Sequence, residues 1–257
     1  MRCGWGALTE SHIRSLFHDE RMRFSPCLSN AVTRLAQLKH GNKSPQGKQY
    51  IENWKSYVLD KYGANDTATL KRAYAEVIVK EYAERYGEKI DGWWFDHASF
   101  GNIPLLHDVC KKANPNAILT FSKGKLGQVR NSNPGYEDYT FGHPNPVRRC
   151  KASNKRNLRM VKDIEASADG FVYAKGTPSL GHVFMPMHER WNGGRSVVWT
   201  EEQAVDWMGR VVNAGGAWTW NVPIVPRGSC LHGTSLRFAQ LVGSKLLEQQ
   251  NGTSCNL

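Results

Sequence analysis

Several sequence signals that define large protein classes are missing from this chain of 257 residues. No stretch approaches the roughly 18 consecutive apolar residues that a membrane-spanning helix needs, so we expect no membrane span. The first 20 residues contain no apolar core of the kind found in secretion signals. The chain as written therefore carries no export signal, and taken alone it predicts a cytosolic protein.

Motifs for cofactor chemistry are also missing. The sequence contains no phosphate-binding P-loop, no GxGxxG after a predicted strand, no GxSxG and no HExxH. Its six cysteines are widely spaced, without any CxxC pair that would suggest a metal site. We therefore predict neither a cofactor nor a metal ion. In an exported protein the cysteines could form disulfides, although their pairing cannot be deduced from sequence.

Acidic residues are scarce between residues 111 and 162, where twelve Lys or Arg accompany only Glu137 and Asp138. This segment accounts for nearly all of the net charge of +11. A clustered basic surface favours a polyanionic partner, either nucleic acid or a sulfated polysaccharide. The alternative is an ordinary solvated basic face. Because no nucleic-acid-binding module is recognisable, we do not expect a nucleic-acid partner.

Helical and strand patterns alternate along most of the chain. Apolar periodicity and capping signals predict helices over 29–39, 49–62, 69–86, 103–113, 201–214 and 234–250. Short apolar or aromatic runs predict strands over 90–96, 117–121, 170–173, 182–187 and 217–221. Such alternation is typical of an α/β fold in which helices cover a parallel sheet.

A parallel α/β chain of this length can form one domain, and a (β/α)8 or TIM barrel typically has about this length. Only four or five strands are visible, whereas a closed barrel needs eight. We therefore predict a (β/α)8-type barrel that is irregular or incomplete at its N-terminus. Residues 51–257 form the predicted barrel domain, and residues 1–50 remain poorly assigned.

Candidate reactive groups follow three of the predicted strands, which is where the active sites of such folds lie. Asp96 ends the first strand and is a candidate nucleophile, or alternatively a cap for the next loop. The loop after the second strand contains Glu137, Asp138 and His143, of which one can act as general acid. Glu189 follows a later strand and is either a second catalytic carboxylate or a salt-bridged loop residue.

Aromatic and basic neighbours of these groups are candidates for substrate binding. An indole ring can cover the apolar face of a sugar, although tryptophan equally often fills a protein core. Arginine suits the bidentate binding of oxyanions such as sulfate esters. The substrate-binding candidates are Trp93, Trp94, His97, Glu137, Asp138, Arg148 and Trp191.

Two segments of the chain resemble a known family of enzymes. Residues 84–96 (ERYGEKIDGWWFD) resemble the nucleophile strand of the glycoside hydrolase family 29 α-L-fucosidases. Residues 201–226, with the stretches VVNAGG and WNVP, resemble the late helix and strand of that family. The resemblance covers roughly residues 50–250. It implies a TIM barrel, a retaining mechanism with Asp96 as nucleophile, and a secreted or lysosomal-type protein.

The chain departs from the family pattern in two places. The substrate motifs of the first strands are not found, and residues 1–50 match nothing in the family. His143 stands where many members place their acid/base glutamate, although a related fucan-cleaving family uses a histidine there. The resemblance thus implies a hydrolase of terminal or internal α-L-fucosyl linkages, including those in sulfated polysaccharide. The alternatives are an inactive carbohydrate-binding relative or a fragment from an incomplete gene model.

Overall fold

The computed structural model describes residues 45–96, 98, 101–122, 126–145, 155–190, 193–225, 230–231 and 233–254. The predicted helix over 29–39 lies outside this part of the chain. The described residues fall into two compact units. The first unit lies within residues 1–123 and 132–139, and the second lies within 124–131 and 140–257. A single barrel domain over 51–257 remains a prediction.

The first unit is built mainly of helices around one pair of strands. Its elements in chain order are α1 (Pro45–Tyr62), α2 (Thr67–Ala73), a π-helical turn (Tyr74–Val79), α3 (Lys80–Tyr86), a 3₁₀ turn (Gly87–Lys89), β1 (Gly92–Phe95), α4 (Ile103–Ala113) and β2 (Ile118–Phe121). The helix predicted over 69–86 therefore forms, with a π-helical turn in its middle that the sequence did not predict.

Local signals explain where this long helical segment begins and ends. The Asp66 carboxylate accepts hydrogen bonds from the backbone N–H groups of Ala68 and Thr69, at 2.8 and 3.1 Å. These bonds satisfy donors that the first helical turn leaves unpaired. At the other end Gly87 adopts a positive φ of 49°, which only glycine reaches readily, and the helix stops there.

Strands β1 and β2 pair in parallel, as the alternating pattern predicted. The register places Gly92 beside Ile118 and Phe95 beside Phe121, and all four residues of each strand are buried. The rings of Trp93, Phe95 and Phe121 stack in sequence, with centroids 5.8 and 5.2 Å apart. Helix α4 and the π-helical turn pack against this core.

The second unit contains more strands than the sequence predicted. Its elements are α5 (Lys155–Glu165), β3 (Phe171–Ala174), β4 (Thr177–Leu180), β5 (His182–Pro186), β6 (His188–Arg190), β7 (Gly193–Val197), α6 (Glu201–Asn213), β8 (Ala217–Asn221), β9 (Ile224–Val225), β10 (Cys230–Leu231) and α7 (Gly233–Ser254). Strands β5 and β8 pair in parallel, from His182 beside Ala217 to Pro186 beside Asn221.

One strand prediction needs correction. The strand predicted over 170–173 is present as β3, but it pairs antiparallel with β4 in a tight hairpin rather than joining a parallel sheet. Lys175 and Gly176 turn this hairpin with φ values of 51° and 75°. Two further antiparallel pairs, β6–β7 and β9–β10, were also not predicted. Such short hairpins lack the long apolar runs that reveal buried strands.

Helix α6 follows the sequence prediction closely. The hydroxyl of Thr200 accepts from the backbone N–H of Gln203, and the Gln203 side chain accepts from the N–H of Thr200. This capping box sets the start of the helix. Below α6, the ring of Trp199 packs edge-on against three other indoles at 5.1 to 6.0 Å, those of Trp207, Trp218 and Trp220. Trp199 and Trp207 are buried in the core, and Trp218 and Trp220 pack against it partly buried.

The architecture is mixed, with helices packed on parallel strand pairs and several antiparallel hairpins. Within the described ranges the strands form five two-stranded sheets. The parallel pairs agree with the predicted α/β class, and a closed eight-stranded barrel remains a prediction. No helix in the described part of the chain is long and apolar enough to cross a membrane.

Candidate functional site

Asp96 occupies the position just beyond the carboxyl end of β1. The parallel ladder continues to this point, because the N–H of Ser122 donates to the carbonyl of Phe95 at 2.8 Å. The four strand residues are buried, whereas Asp96 is only partly buried. A carboxylate at the edge between core and solvent can meet a substrate while its backbone is held rigidly by the sheet.

The two tryptophans before Asp96 lie in the core of the first unit. Trp93 is 1% exposed and Trp94 is 9% exposed. The hydroxyl of Tyr139 donates to the Trp93 carbonyl at 3.2 Å, and its ring lies 6.3 Å from that of Trp94. This arrangement favours a packing role for Trp93 and Trp94, which is the alternative to sugar binding. Their substrate-binding roles stay predictions.

Glu137 is a buried carboxyl group inside a short loop. Its two oxygens accept hydrogen bonds from the backbone N–H of Ser132 and from the side-chain amide of Asn133, at 2.5 and 2.8 Å. Only 4% of the residue is exposed. Burial disfavours the charged form more strongly than these bonds favour it, which raises the pKa of Glu137 to about 7. Glu137 can therefore exchange a proton near neutral pH.

Asp138 attaches the same loop to β2. Its carboxylate accepts from the backbone N–H of Leu119 at 2.9 Å and lies 3.0 Å from the ammonium group of Lys111. Lys111 in turn donates to the carbonyl of Ala117 at 2.8 Å. These contacts give Asp138 a structural role, because they hold its loop against β2. The carboxylate also neutralises the charge of Lys111, one of the basic residues of the segment 111–162. A substrate-binding role for Asp138 remains a prediction.

His143 lies in the second unit, in a largely buried cluster of side chains that we call the histidine face. This face consists of Phe141, His143, His182, Phe184 and Thr219. The His143 ring lies 5.8 Å from the ring of Phe141 and 5.5 Å from that of Phe184. Its chain segment runs beside β5, where the N–H of Phe184 donates to the carbonyl of Gly142 at 2.9 Å. His143 is 7% exposed.

His182 belongs to the histidine face but was not singled out from the sequence. It is 1% exposed at the start of β5. Its Nδ1 lies 2.9 Å from the carbonyl of Thr140, and its Nε2 lies 2.9 Å from the hydroxyl of Thr219. Burial lowers the pKa of His182 to about 4, so the ring is neutral at physiological pH. The sequence signal that could have identified His182 was a histidine inside an otherwise apolar strand.

Glu189 is exposed on the β6–β7 hairpin. Its neighbour His188 is fully buried and lies 2.7 Å from the buried hydroxyl of Ser235 at the start of α7. Successive side chains of a strand point to opposite faces, so burying His188 sends Glu189 toward solvent. His188 and Ser235 thus fix the hairpin to α7, and the catalytic role of Glu189 remains a prediction.

Three predicted site residues, His97, Arg148 and Trp191, lie outside the described residues. The described part of the basic segment includes α5, whose four basic side chains are all exposed: Lys155, Arg156, Arg159 and Lys162. Its opposite side is buried through Asn157, Met160, Val161 and Ile164. Across the described ranges, no group of three or more His, Cys, Asp or Glu side chains is arranged to hold a metal ion.

Comparison with known proteins gives one family match and several structural matches. Residues 126–251, just under half of the chain, match the family model of the endo-α(1,4)-fucoidanase Mef1. The search of curated proteins found no match. Solved α-L-fucosidase structures match with TM-scores of only 0.40 to 0.45.

Endo-fucoidan hydrolases of glycoside hydrolase family 107 are more similar in structure. MfFcnA9 has a TM-score of 0.59 and 23% identity, over 83% of this chain and 41% of that one. MfFcnA4 has a TM-score of 0.62 and 21% identity, over 78% and 35%. P5AFcnA has a TM-score of 0.63 and 16% identity, over 77% and 59%. This chain therefore shares its fold with part of these larger glycoside hydrolases.

Proposed function

We propose that this chain is a fucose-acting glycoside hydrolase of the endo-fucoidanase type, cleaving α-L-fucosyl linkages within a sulfated fucan. The observation that carries the proposal is the match of residues 126–251 to the Mef1 endo-fucoidanase family. The matched range includes the histidine face and the parallel β5–β8 pair. The likeness to the family 107 endo-fucoidan hydrolases supports the same substrate class. Of the terminal and internal cleavage that the sequence left open, the proposal therefore takes internal cleavage.

Asp96 is the proposed nucleophile. It follows a buried parallel strand, and its partly buried carboxylate lies at the strand end where such folds carry out chemistry. In a retaining mechanism the carboxylate attacks the anomeric carbon and forms a fucosyl-enzyme ester, and the glycosidic oxygen leaves with a proton from the general acid. Water, deprotonated by the same group, then hydrolyses the ester.

His143 is the proposed acid/base. A histidine can give and take a proton near neutral pH, and aromatic rings on two sides of His143 restrict its orientation. Glu189 is the rival candidate, but it is exposed on a hairpin. Glu137 is a second rival, with a pKa of about 7 that suits proton transfer. Both of its oxygens, however, are already engaged within its own loop.

The basic face of α5 is the proposed contact for sulfate groups. Lys155, Arg156, Arg159 and Lys162 are all exposed on this one helix. Arg159 also lies 3.7 Å from Asp163 across one helical turn, a loose pair that an incoming anion can displace. A regularly sulfated polysaccharide presents the repeated negative charges that such a face binds.

The test is turnover of a sulfated fucan and of an aryl α-L-fucoside by the wild type and by single variants. We expect the fucan to be cleaved into oligosaccharides and Asp96→Asn to abolish cleavage. His143→Gln should lower kcat by about 10²- to 10⁴-fold, the usual contribution of a general acid. Glu189→Gln and Glu137→Gln are the matched carboxylate controls and should retain most of the activity.

The nucleophile assignment has a separate chemical test. Replacing Asp96 by Gly or Ala leaves space for azide, which attacks the anomeric carbon of an activated aryl fucoside in place of the carboxylate. A fucosyl azide of inverted configuration supports the assignment. If a well-folded wild type binds fucan but turns nothing over, the hydrolase proposal is wrong and the chain is a carbohydrate-binding relative.

A further inference from the structure

Thr219 is the exposed member of the histidine face. It lies on β8 in register with Phe184 of β5, and register partners of a parallel pair project to the same side of the sheet. Phe184 is also the ring that contacts His143, at 5.5 Å. The exposed Thr219 therefore projects to the same side of the sheet as Phe184, whose ring contacts the proposed acid/base.

The direction of the hydrogen bond between Thr219 and His182 follows from the other contact of the His182 ring, which is with the carbonyl of Thr140. The carbonyl of Thr140 can only accept, so His182 Nδ1, at 2.9 Å from it, must carry the proton. The ring is completely buried and stays neutral, which leaves Nε2 as an acceptor. The Thr219 hydroxyl, at 2.9 Å from Nε2, must consequently donate its only hydrogen to the ring.

We propose that Thr219 is a further substrate-binding residue that accepts a hydrogen bond from a free sugar hydroxyl, with His182 as the positioning residue that sets this direction. The inference rests on the proposed function and names part of its substrate recognition. With its hydrogen committed to His182, the Thr219 oxygen offers only lone pairs to a ligand. Phe184 beside it can cover the apolar face of the same sugar.

This arrangement makes Thr219 selective for the substitution pattern of the fucan. A free hydroxyl has a hydrogen to donate to Thr219, whereas a sulfate ester at the same position has only acceptor oxygens. Bringing two acceptors together costs free energy, because neither is satisfied. The site therefore binds a fucosyl unit that is unsulfated at the position facing Thr219 and disfavours the sulfated one.

Binding of defined fucan oligosaccharides, measured by calorimetry in the Asp96→Asn background, tests this proposal without requiring turnover. Thr219→Val keeps the shape of the side chain and removes the hydroxyl, and Thr219→Ser is the matched control that keeps it. We expect Thr219→Val to raise Kd roughly tenfold, the usual effect of one hydrogen bond. Thr219→Ser should stay within about threefold of the parent. The preference for unsulfated over sulfated oligosaccharides should fall in Thr219→Val only.

A second measurement needs no ligand. Nitrogen NMR of the wild type should show His182 protonated at Nδ1 and unprotonated at Nε2. The opposite tautomer would make the Thr219 hydroxyl accept a hydrogen bond from the ring, and this would overturn the inference. Unchanged oligosaccharide binding by folded Thr219→Val would overturn this inference alone. A folded parent that binds no fucan would overturn it together with the proposed function.

Discussion

Gly142 and His182 are in direct backbone contact, so close that a methyl group on residue 142 would overlap the His182 carbonyl. Gly142 also has a positive φ of 57°, a conformation that residues with a side chain rarely adopt. The absence of a side chain therefore lets the segment before His143 lie against β5. The position of the proposed acid/base depends on this glycine.

Gly142→Ala should destabilise the protein strongly. The left-handed backbone costs an alanine about 1 kcal/mol, and overlap with backbone that cannot rotate away adds roughly 1–3 kcal/mol. Gly176→Ala is the matched control, since Gly176 has a φ of 75° and no atom within 4 Å of an added Cβ. Urea unfolding should show a much larger loss for Gly142→Ala. Equal losses would mean that the contact with His182 contributes nothing.

The stability of the protein should fall as the pH rises toward neutrality because of Glu137. Its pKa is about 7 in the folded protein, above the ordinary value of 4.5. The folded state therefore binds more protons than the unfolded state between these values, and the stabilisation present below pH 4.5 is lost through pH 7. Glu137→Gln removes the titration. Between pH 4.5 and 8, the free energy of unfolding should fall by about 3 kcal/mol less in this variant than in the wild type.

The ion pair of Asp138 and Lys111 should contribute far more than a surface pair. Their side chains are only 14% and 17% exposed, and Asp138 also holds the N–H of Leu119. Asp138→Ala should lower the unfolding free energy by about 2–4 kcal/mol, because it leaves a largely buried ammonium group without its anionic partner and the Leu119 N–H without its acceptor.

The matched comparison for Asp138 is the exposed pair of Lys80 and Glu84, at 3.6 Å. Glu84→Ala should change stability by less than about 0.5 kcal/mol, as is usual for exposed pairs. A double-mutant cycle on each pair, followed by chemical unfolding, compares their coupling energies. Similar coupling in both pairs would contradict the structural attachment assigned to Asp138.

Removing the charges of α5 should weaken binding to sulfated fucan. A variant with glutamine at Lys155, Arg156, Arg159 and Lys162 should bind roughly tenfold or more weakly at low salt, since each exposed charge contributes about 0.2–1 kcal/mol. The matched control replaces four exposed lysines of the first unit that lie outside the basic segment: Lys48, Lys61, Lys80 and Lys89. The control should bind normally.

Salt titration and competition by fucoidan or DNA complete this measurement. The difference between the α5 variant and the wild type should shrink as salt screens the charges. Fucoidan should compete better than DNA for the wild type. If DNA competes equally well, the basic face is a general polyanion surface rather than part of a carbohydrate site.

The sequence predicted the elements that carry strong local signals. Helix α4 and strand β8 lie where the periodicity placed them, and the capping box at Thr200 begins α6 as expected. These features depend on near neighbours in the chain, so sequence alone reveals them. The π-helical turn and the antiparallel hairpins were missed, because both depend on tertiary packing more than on local pattern.

The features of the candidate site likewise divide into those that the sequence shows and those that depend on the tertiary structure. The sequence by itself determined that Asp96 follows an apolar strand, that acidic residues are scarce from 111 to 162, and that no cofactor motif is present. Only the tertiary structure decided that Asp138 is tied to Lys111 and that His182 directs the hydroxyl of Thr219. His182 and Thr219 are 37 residues apart, and pairing of β5 with β8 brings them together. Burial and hydrogen-bond direction depend on such distant contacts, which a linear sequence does not specify.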